Sequence, residues 1–84
     1  MKLFSENIKQ FIGQTVIVYI GHKIYGEQEL KIRKLQPLCD KNRIGLIVGT
    51  QPIFLEHNEI ENILFTEDEL CIQSELLTIK IKKV

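Results

Sequence analysis

Residues 43–65 read RIGLIVGTQPIFLEHNEIENILF, and this stretch decides the fold that the sequence predicts. Two apolar runs, IGLIV and IFL, lie on either side of Gly49-Thr50-Gln51-Pro52, whose composition is typical of a turn, so we expect a β-hairpin. The polar segment EHNEIENI predicts a second tight turn, after which Ile60 and Ile63 return the chain to the core as a further strand begins. The stretch therefore predicts the strands at which a small β-barrel is joined.

The composition favours the same fold class. Eighty-four residues are enough for one domain, 1–84, which buries roughly 60% of the surface that its unfolded chain exposes. An apolar share of 44% and a charged share of 26% are those of a globular protein, so we exclude wholesale disorder. Alanine is absent and isoleucine is the commonest residue, which favours sheet over helix because alanine is the best helix former.

The first residues predict a helix over 3–12. Apolar side chains recur there at spacings of three and four: Leu3, Phe4, Ile8, Phe11 and Ile12. Ser5 is placed to cap the start of this helix, and Gly13 is placed to end it. Because so short a helix does not persist alone in water, we expect its apolar face to lie on the sheet.

From residue 14 onward the pattern predicts six or seven short strands. We expect strand structure at 14–20, resumed at 24–26 after a bend, and at 27–35, 44–48, 53–55, 60–65, 70–73 and 76–81, with a loop over 36–42. Both faces of the segment TVIVYI are apolar, so this strand is either covered on both sides or shows one face to a partner subunit.

The fold class that follows is mainly β. We expect a short N-terminal helix and a small antiparallel β-barrel over 14–82, Sm-like or Src-homology-like, with extra C-terminal strands. Closure into a barrel is favoured because it removes exposed sheet edges. Along 27–35, Leu30 and Ile32 alternate with Lys31 and Arg33, which predicts a strand with one wet face.

Charge is balanced overall but unevenly distributed. Eleven basic residues match eleven acidic ones, so no net field draws the whole molecule to nucleic acid or to an anionic membrane. The segment 31–43 is mainly basic, whereas 56–75 holds seven acidic residues and no Lys or Arg. Such blocks either pair across neighbouring strands on a solvated surface or make a bipolar molecule that docks head to tail.

The sequence offers no catalytic or metal-binding signature. Cys39 and Cys71 stand apart, so we expect free thiols in a reduced cytoplasm, and neither a secretory leader nor a membrane span is predicted. His22 and His57 do not complete paired ligand spacing with these cysteines, so we expect no metal. With no nucleophile-base arrangement and no phosphate-binding glycine loop, we predict neither an enzyme nor a cofactor.

Two segments resemble the Sm and Hfq family of RNA-binding rings. SENIKQF followed by VIVYIGHKIYGEQELKI is similar to the helix and first two strands of that family, and IFLEHNEIENI is similar to its second motif. The resemblance covers residues 4–63 and implies a strongly bent barrel, a ring and RNA contacts at the turn of the second motif. At that turn the family has Arg-Gly or Lys-His, whereas this chain has Glu56 and His57, so only His57 matches.

We expect a non-enzymatic module that binds another protein, assembled as a homo-oligomer. The Ile-, Lys- and Glu-rich composition suits an inhibitor or accessory factor from a bacterial or phage mobile element. The alternatives are an Sm- or Hfq-like RNA-binding oligomer and a sponge that holds a small ligand. The candidate binding residues come from the acidic segment and from the aromatic and basic residues before it: Glu56, His57, Glu59, Glu61, Tyr19, Tyr25, Lys31 and Arg33.

The aromatic residues carry two interpretations. Tyr19, Tyr25 and Phe54 are candidates to stack on bases beside cationic side chains, as in proteins that bind single strands. The competing interpretation, which we favour from the sequence, is that these three rings fill the core.

Overall fold

The computed structural model of the protein describes residues 2–33, 35–48 and 51–84. A short α-helix, α1 (Lys2–Asn7), continues as a 3-10 helix (Ile8–Phe11). The strands of these described residues are β1 (Val16–His22), β2 (Gly26–Ile32), β3 (Gln36–Cys39), β4 (Arg43–Val48), β5 (Gln51–Glu56), β6 (Ile60–Phe65), β7 (Glu69–Ser74) and β8 (Leu77–Lys83). A second 3-10 helix (His57–Glu59) separates β5 from β6.

The strands form two antiparallel sheets, so the mainly β prediction is confirmed and the closed barrel is wrong. One sheet has five strands in the order β2-β1-β8-β7-β6, and the other has three in the order β3-β4-β5. In the described parts of the chain no ladder joins the two sheets. The chain leaves the five-stranded sheet at Arg33, which lies in a bend, and returns to it through the 3-10 helix over 57–59; both interrupt the extended backbone that a continuous ladder requires.

Both sheets and the helical segment contribute to one hydrophobic core. On the strands the residues of this core alternate, as the period of two requires when they share one face. The core consists of Phe4, Ile8, Phe11, Val16, Val18, Leu35, Ile44, Leu46, Leu55, Leu70, Ile72, Ile79 and Ile81. Ile60 and Ile63, which the sequence directs to the core, pack against this cluster.

The helix over 3–12 is confirmed in part. Its predicted contacts Phe4, Ile8 and Phe11 are buried, and a 3-10 turn brings Ile8 and Phe11 into line because they are three residues apart. Ile12 is 48% exposed, since its backbone is already extended. Ser5 lies inside α1, so the predicted cap is wrong, whereas Gly13 follows the helical segment with a φ of 79°.

The predicted loop over 36–42 is wrong for its first half. Residues 36–39 form β3, which pairs with β4, and only 40–42 remain outside the strands. Pro37 is tolerated because β3 lies at the edge of its sheet, where a missing N–H breaks no ladder.

The predicted hairpin, with arms at 44–48 and 53–55, is confirmed by the pairing of β4 with β5. Of its predicted turn, Gly49 and Thr50 lie outside the described residues. Gln51 and Pro52 belong to β5, which is also an edge strand, and Pro52 lies opposite Ile47.

Candidate functional site

Three turns meet at one end of the five-stranded sheet. The β1–β2 and β7–β8 turns are joined by the Lys23 N–H, which donates to the Leu76 carbonyl oxygen at 3.0 Å. Two depressions of about 340 and 310 Å³ share Ser74, Glu75 and Leu76. The first extends to His22 and Lys23, and the second to Asn58 and Glu59 in the 3-10 helix. Ile24 and Tyr25 line neither depression but follow Lys23 in the same turn. We call residues 22–25, 58–59 and 74–76 the turn surface.

The β1–β2 turn is fixed by its own histidine. Nδ1 of His22 accepts the backbone N–H groups of Ile24 at 3.0 Å and Tyr25 at 3.2 Å. The His22 and Tyr25 rings lie 4.6 Å apart, and Gly26 then starts β2 with a φ of 90°, which glycine adopts without strain. The prediction that residues 24 and 25 resume a strand is wrong because these hydrogen bonds close the chain into a turn over 23–25.

This turn exposes large apolar side chains. Ile24 is 70% exposed and Tyr25 is 85% exposed. Leu76, in the adjoining turn, is 46% exposed. Since the backbone that carries them is held by hydrogen bonds, these side chains are displayed from fixed positions.

The β7–β8 turn is closed by Ser74. Its Oγ accepts the Leu77 N–H at 3.1 Å and donates to the Leu77 carbonyl oxygen at 3.1 Å. Both bonds are partly buried, so Ser74 contributes to the shape of the turn rather than offering its hydroxyl to a ligand.

The 3-10 helix has its own cap. The Glu59 carboxylate accepts the Glu56 N–H at 3.1 Å, and the Glu56 side chain in return accepts the Glu59 N–H, which makes a reciprocal capping box. The His57 N–H donates to the Asn42 carbonyl oxygen at 2.8 Å, which ties this helix to the β3–β4 turn. Glu56 and Glu59, predicted from the sequence as binding residues, therefore also have a structural role.

A second polar surface covers the outer face of the five-stranded sheet. By register and alternation it carries Ile17, Tyr19, Glu27, Glu29, Lys31, Glu69, Cys71, Lys80 and Lys82. We call it the sheet face. Lys80 Nζ lies 5.4 Å from the centroid of the Tyr19 ring. The Tyr19 hydroxyl donates to the Glu27 carboxylate, and this hydrogen bond raises the pKa of Tyr19 above its ordinary value.

Cys71 is buried but does not belong to the core cluster. Its neighbours Leu70 and Ile72 point into the core, so Cys71 lies on the sheet face, opposite Lys80 in the register. Burial raises the pKa of its thiol. The predicted free thiols are found, with Cys39 exposed and Cys71 buried.

The candidate residues do not form one site. Tyr25 and Glu59 lie on the turn surface, whereas Tyr19 and Lys31 lie on the sheet face. The remaining candidates, namely Glu56, His57, Glu61 and Arg33, belong to neither surface. Sequence reasoning missed Ile24, Glu75 and Leu76; the pair Ile24-Tyr25 between Lys23 and Gly26 was the available signal, because large apolar residues are unusual in so short a turn.

The interpretation that the three aromatic side chains fill the core is wrong. Tyr25 is almost fully exposed, and Tyr19 is only half-buried. Phe54 is 40% exposed on the outer face of the three-stranded sheet, where the Arg43 guanidinium lies 4.5 Å from the centroid of its ring.

No protein-family model, no curated protein and no solved structure matches this chain. The resemblance to the Sm and Hfq family therefore stays a prediction. Within residues 2–33, 35–48 and 51–84, no group of three or more His, Cys, Asp and Glu side chains is placed to hold a metal ion. The same part of the chain contains no helix with the length and apolar character needed to cross a membrane.

Proposed function

We propose that this protein is a non-enzymatic binding module that docks a protein partner through the turn surface. The observation that carries the proposal is the exposure of Ile24, Tyr25 and Leu76 on turns whose backbones are fixed by hydrogen bonds. Exposed apolar side chains that cluster on a soluble domain are typical of interaction sites, and aromatic anchors supply much of the binding energy at interfaces.

The fixed turns favour tight docking. Binding normally costs free energy to order loops and side chains, and that cost is smaller when the loop already has its bound shape. The hydrogen bonds to His22 Nδ1 and from Lys23 to Leu76 hold the β1–β2 and β7–β8 turns in place before a partner binds. An inhibitor or accessory factor that acts in this way needs no catalytic group.

The charges indicate the chemistry of the partner. Glu59 and Glu75 line one depression beside Leu76, and none of the described lysine and arginine residues lines it, whereas Lys23 and Lys80 line the other depression. The apolar anchors with adjoining carboxylates suit a segment that carries apolar side chains flanked by lysine or arginine, because opposite charges at the rim steer association. The acidic character expected of the 56–75 segment supports the same partner chemistry.

The test compares matched surface variants. We expect Ile24→Ser with Tyr25→Ser to lose the proteins that wild type enriches from a source-cell extract, since both apolar anchors are removed. Phe54→Ser is the control, because it removes an exposed aromatic side chain from the opposite sheet. With the partner purified, calorimetry should give at least about a tenfold weaker affinity for the turn variant, as for loss of a hot spot. Equal binding by both variants contradicts the proposal.

A second candidate function, RNA binding, is favoured by one observation on the sheet face. Tyr19 pairs its ring with Lys80, and Lys31 and Lys82 lie on the same face, which is the aromatic and cationic combination that single-strand binders use. Glu27, Glu29 and Glu69 on that face offset the three lysines. If RNA binds there, affinity for an unstructured RNA should fall steeply with salt, and Lys80→Glu should abolish it. A flat salt response in fluorescence anisotropy rules out this function.

A further inference from the structure

The outer strand β2 presents an edge that the described chain leaves unpaired. β2 ends the order β2-β1-β8-β7-β6, and its seven residues keep an unbroken register with β1. Such an edge offers a row of backbone N–H and C=O groups to another strand.

The other outer strands are protected. β3 contains Pro37 and β5 contains Pro52, and each proline removes a backbone donor. β6 has an irregular register between Ile60 and Asn62. Irregularities of this kind, prolines and charged side chains are devices that keep sheet edges from pairing. β2 has neither a proline nor an irregular register, and its charges permit pairing only where unlike charges lie opposite each other, so it is the outer strand best suited to extend the sheet.

The charges along β2 are complementary to themselves. Glu27, Glu29 and Lys31 share the sheet face, and Arg33 follows one residue after the strand. When two copies of β2 run antiparallel about a two-fold axis at Leu30, Glu29 lies opposite Lys31 of the second copy. The two-fold axis repeats this pair, so two pairs of opposite charge form within the paired strands. Glu27 of each copy lies at the end of the paired segment, toward the Arg33 that follows β2 of the second copy. Directly opposed charges of unlike sign stabilise a strand pair, whereas like charges destabilise it.

The neighbouring registers place like charges together. A two-fold axis at Glu29 opposes that residue to itself between two Glu27–Lys31 pairs, and one at Lys31 opposes the two lysines. An axis at Gln28 opposes Glu27 to Glu29 twice. Of these registers only the one centred on Leu30 opposes unlike charges without also opposing like charges, so the charge pattern favours it.

We propose that a second copy of this chain pairs with β2 in that register and joins the two five-stranded sheets into one of ten strands. The side chains that form the pairs are available: Glu29 and Lys31 are exposed, and the described residues give them no salt bridge within the chain. Leu30 is half-buried at the sheet edge, and the second copy buries it further.

The dimer leaves both turn surfaces open. Tyr25 lies five residues before Leu30, so the antiparallel arrangement sets the two Tyr25 positions ten residues apart along the strand direction. At about 3.4 Å per residue this is roughly 34 Å. The dimer is thus bivalent, because it carries one turn surface at each of its two opposite ends. The inference does not rest on the proposed function, because the charges that select the register lie outside the turn surface.

A charge exchange tests the proposal. Sedimentation velocity of the wild-type chain over a concentration series should show a monomer–dimer equilibrium. Glu29→Lys should weaken the dimer at least about tenfold, because two attractive pairs become repulsive. Adding Lys31→Glu to that variant should restore the dimer. Glu67→Lys is the control: it makes the same change in net charge at an exposed position between β6 and β7, and it should leave the dimer unchanged.

A cross-link tests the register. On a Cys39→Ser background, Leu30→Cys should form a disulfide-linked dimer under mild oxidation, because residues directly opposite have Cα atoms about 4.5–5.5 Å apart. Gln28→Cys should not, since its two copies lie roughly 14 Å apart in this register. A wild-type chain that stays monomeric up to its solubility limit overturns the proposal. So does a dimer that survives Glu29→Lys, and so does cross-linking at residue 28 in place of 30.

Discussion

The two sheets differ in what their exposed side chains already contact. On the three-stranded sheet, Phe54 lies beneath the Arg43 guanidinium, and Arg43 in turn is 3.1 Å from Asp40. At the end of the five-stranded sheet, the Tyr25 ring lies beside the neighbouring His22 ring but is 85% exposed, and Ile24 is 70% exposed. Exposure alone therefore does not mark a docking surface; a side chain that the chain itself already engages has less to offer a partner.

The same difference holds for the edges. Both outer strands of the three-stranded sheet contain a proline, whereas β2 of the five-stranded sheet contains none. We infer that the three-stranded sheet mainly completes the hydrophobic core. The five-stranded sheet then carries the surfaces that bind other molecules. The predictions below test that division, in order of decreasing effect.

The largest expected effect comes from comparing two glycines, one in each sheet. A Cβ added at Gly45 in β4 would overlap the backbone carbonyl oxygen of Ile53, so Gly45→Ala should lower the free energy of unfolding by about 2 to 3 kcal/mol. At Gly21 in β1 the three atoms nearest to the Cβ would belong to the Tyr19 side chain, with the hydroxyl oxygen at 2.7 Å. That ring can turn outward, so Gly21→Ala should cost less than about 1 kcal/mol. Urea denaturation measures both, and equal losses would contradict the comparison.

A smaller effect is expected at the turn surface. Ser74→Ala removes two partly buried hydrogen bonds of the β7–β8 turn and should lower stability by about 1 kcal/mol. It should also speed amide exchange at Lys23, whose N–H donates to this turn. Thr66→Ala is the matched change at the β6–β7 turn, where the hydroxyl bonds are exposed, and should cost only a few tenths of a kcal/mol. Hydrogen exchange followed by NMR would show whether Lys23 responds to Ser74 alone.

The smallest expected effects are on how stability depends on pH, and the direction of this dependence differs between the two sheets. The N–H groups of Asn42 and Arg43 hold the pKa of Asp40 below its ordinary value, so the unfolded chain binds the proton more readily. The contribution of Asp40 to stability is therefore present above about pH 4 and is lost as the pH falls through the lowered pKa.

Tyr19 has the opposite dependence. Its pKa is raised, chiefly by the bond to Glu27, so its contribution is present below about pH 10 and is lost as the pH rises through the raised value. Stability curves should show Asp40→Asn flattening the acid limb and Tyr19→Phe flattening the alkaline limb. If Asp40→Asn changed the alkaline limb, or Tyr19→Phe the acid limb, the pKa shift would have been assigned to the wrong sheet.

Local patterns predicted the elements well where one periodicity dominates. The spacing of Phe4, Ile8 and Phe11 identified the buried face of the helical segment, and the alternation around Val16 and Val18 identified the inward face of β1. These succeeded because a residue's direction within a helix or a strand follows from its position in the repeat. The residues at 24 and 25 failed because a side-chain hydrogen bond from a neighbour overrode their strand propensity.

The candidate site was predicted only in fragments. Tyr25 and Glu59 were named from the sequence, but their shared surface with Leu76 was not, because three turns from distant parts of the chain form it. Phe54 was expected in the core, since an aromatic residue in an apolar run is usually buried. Its direction depends on the register of β4 and β5, which places it opposite Gly45 on the outer face.

By itself the sequence determined the mainly β class, the helical start, the central hairpin and the absence of a net charge, because composition and short periodicities fix these. Tertiary structure alone decided that the strands form two sheets instead of a barrel, which residues meet at the turn surface, and which strand keeps an open edge. Those outcomes depend on long-range pairing and on where the chain passes between sheets. No local pattern specifies either, because each strand is compatible with several neighbours until the whole core is packed.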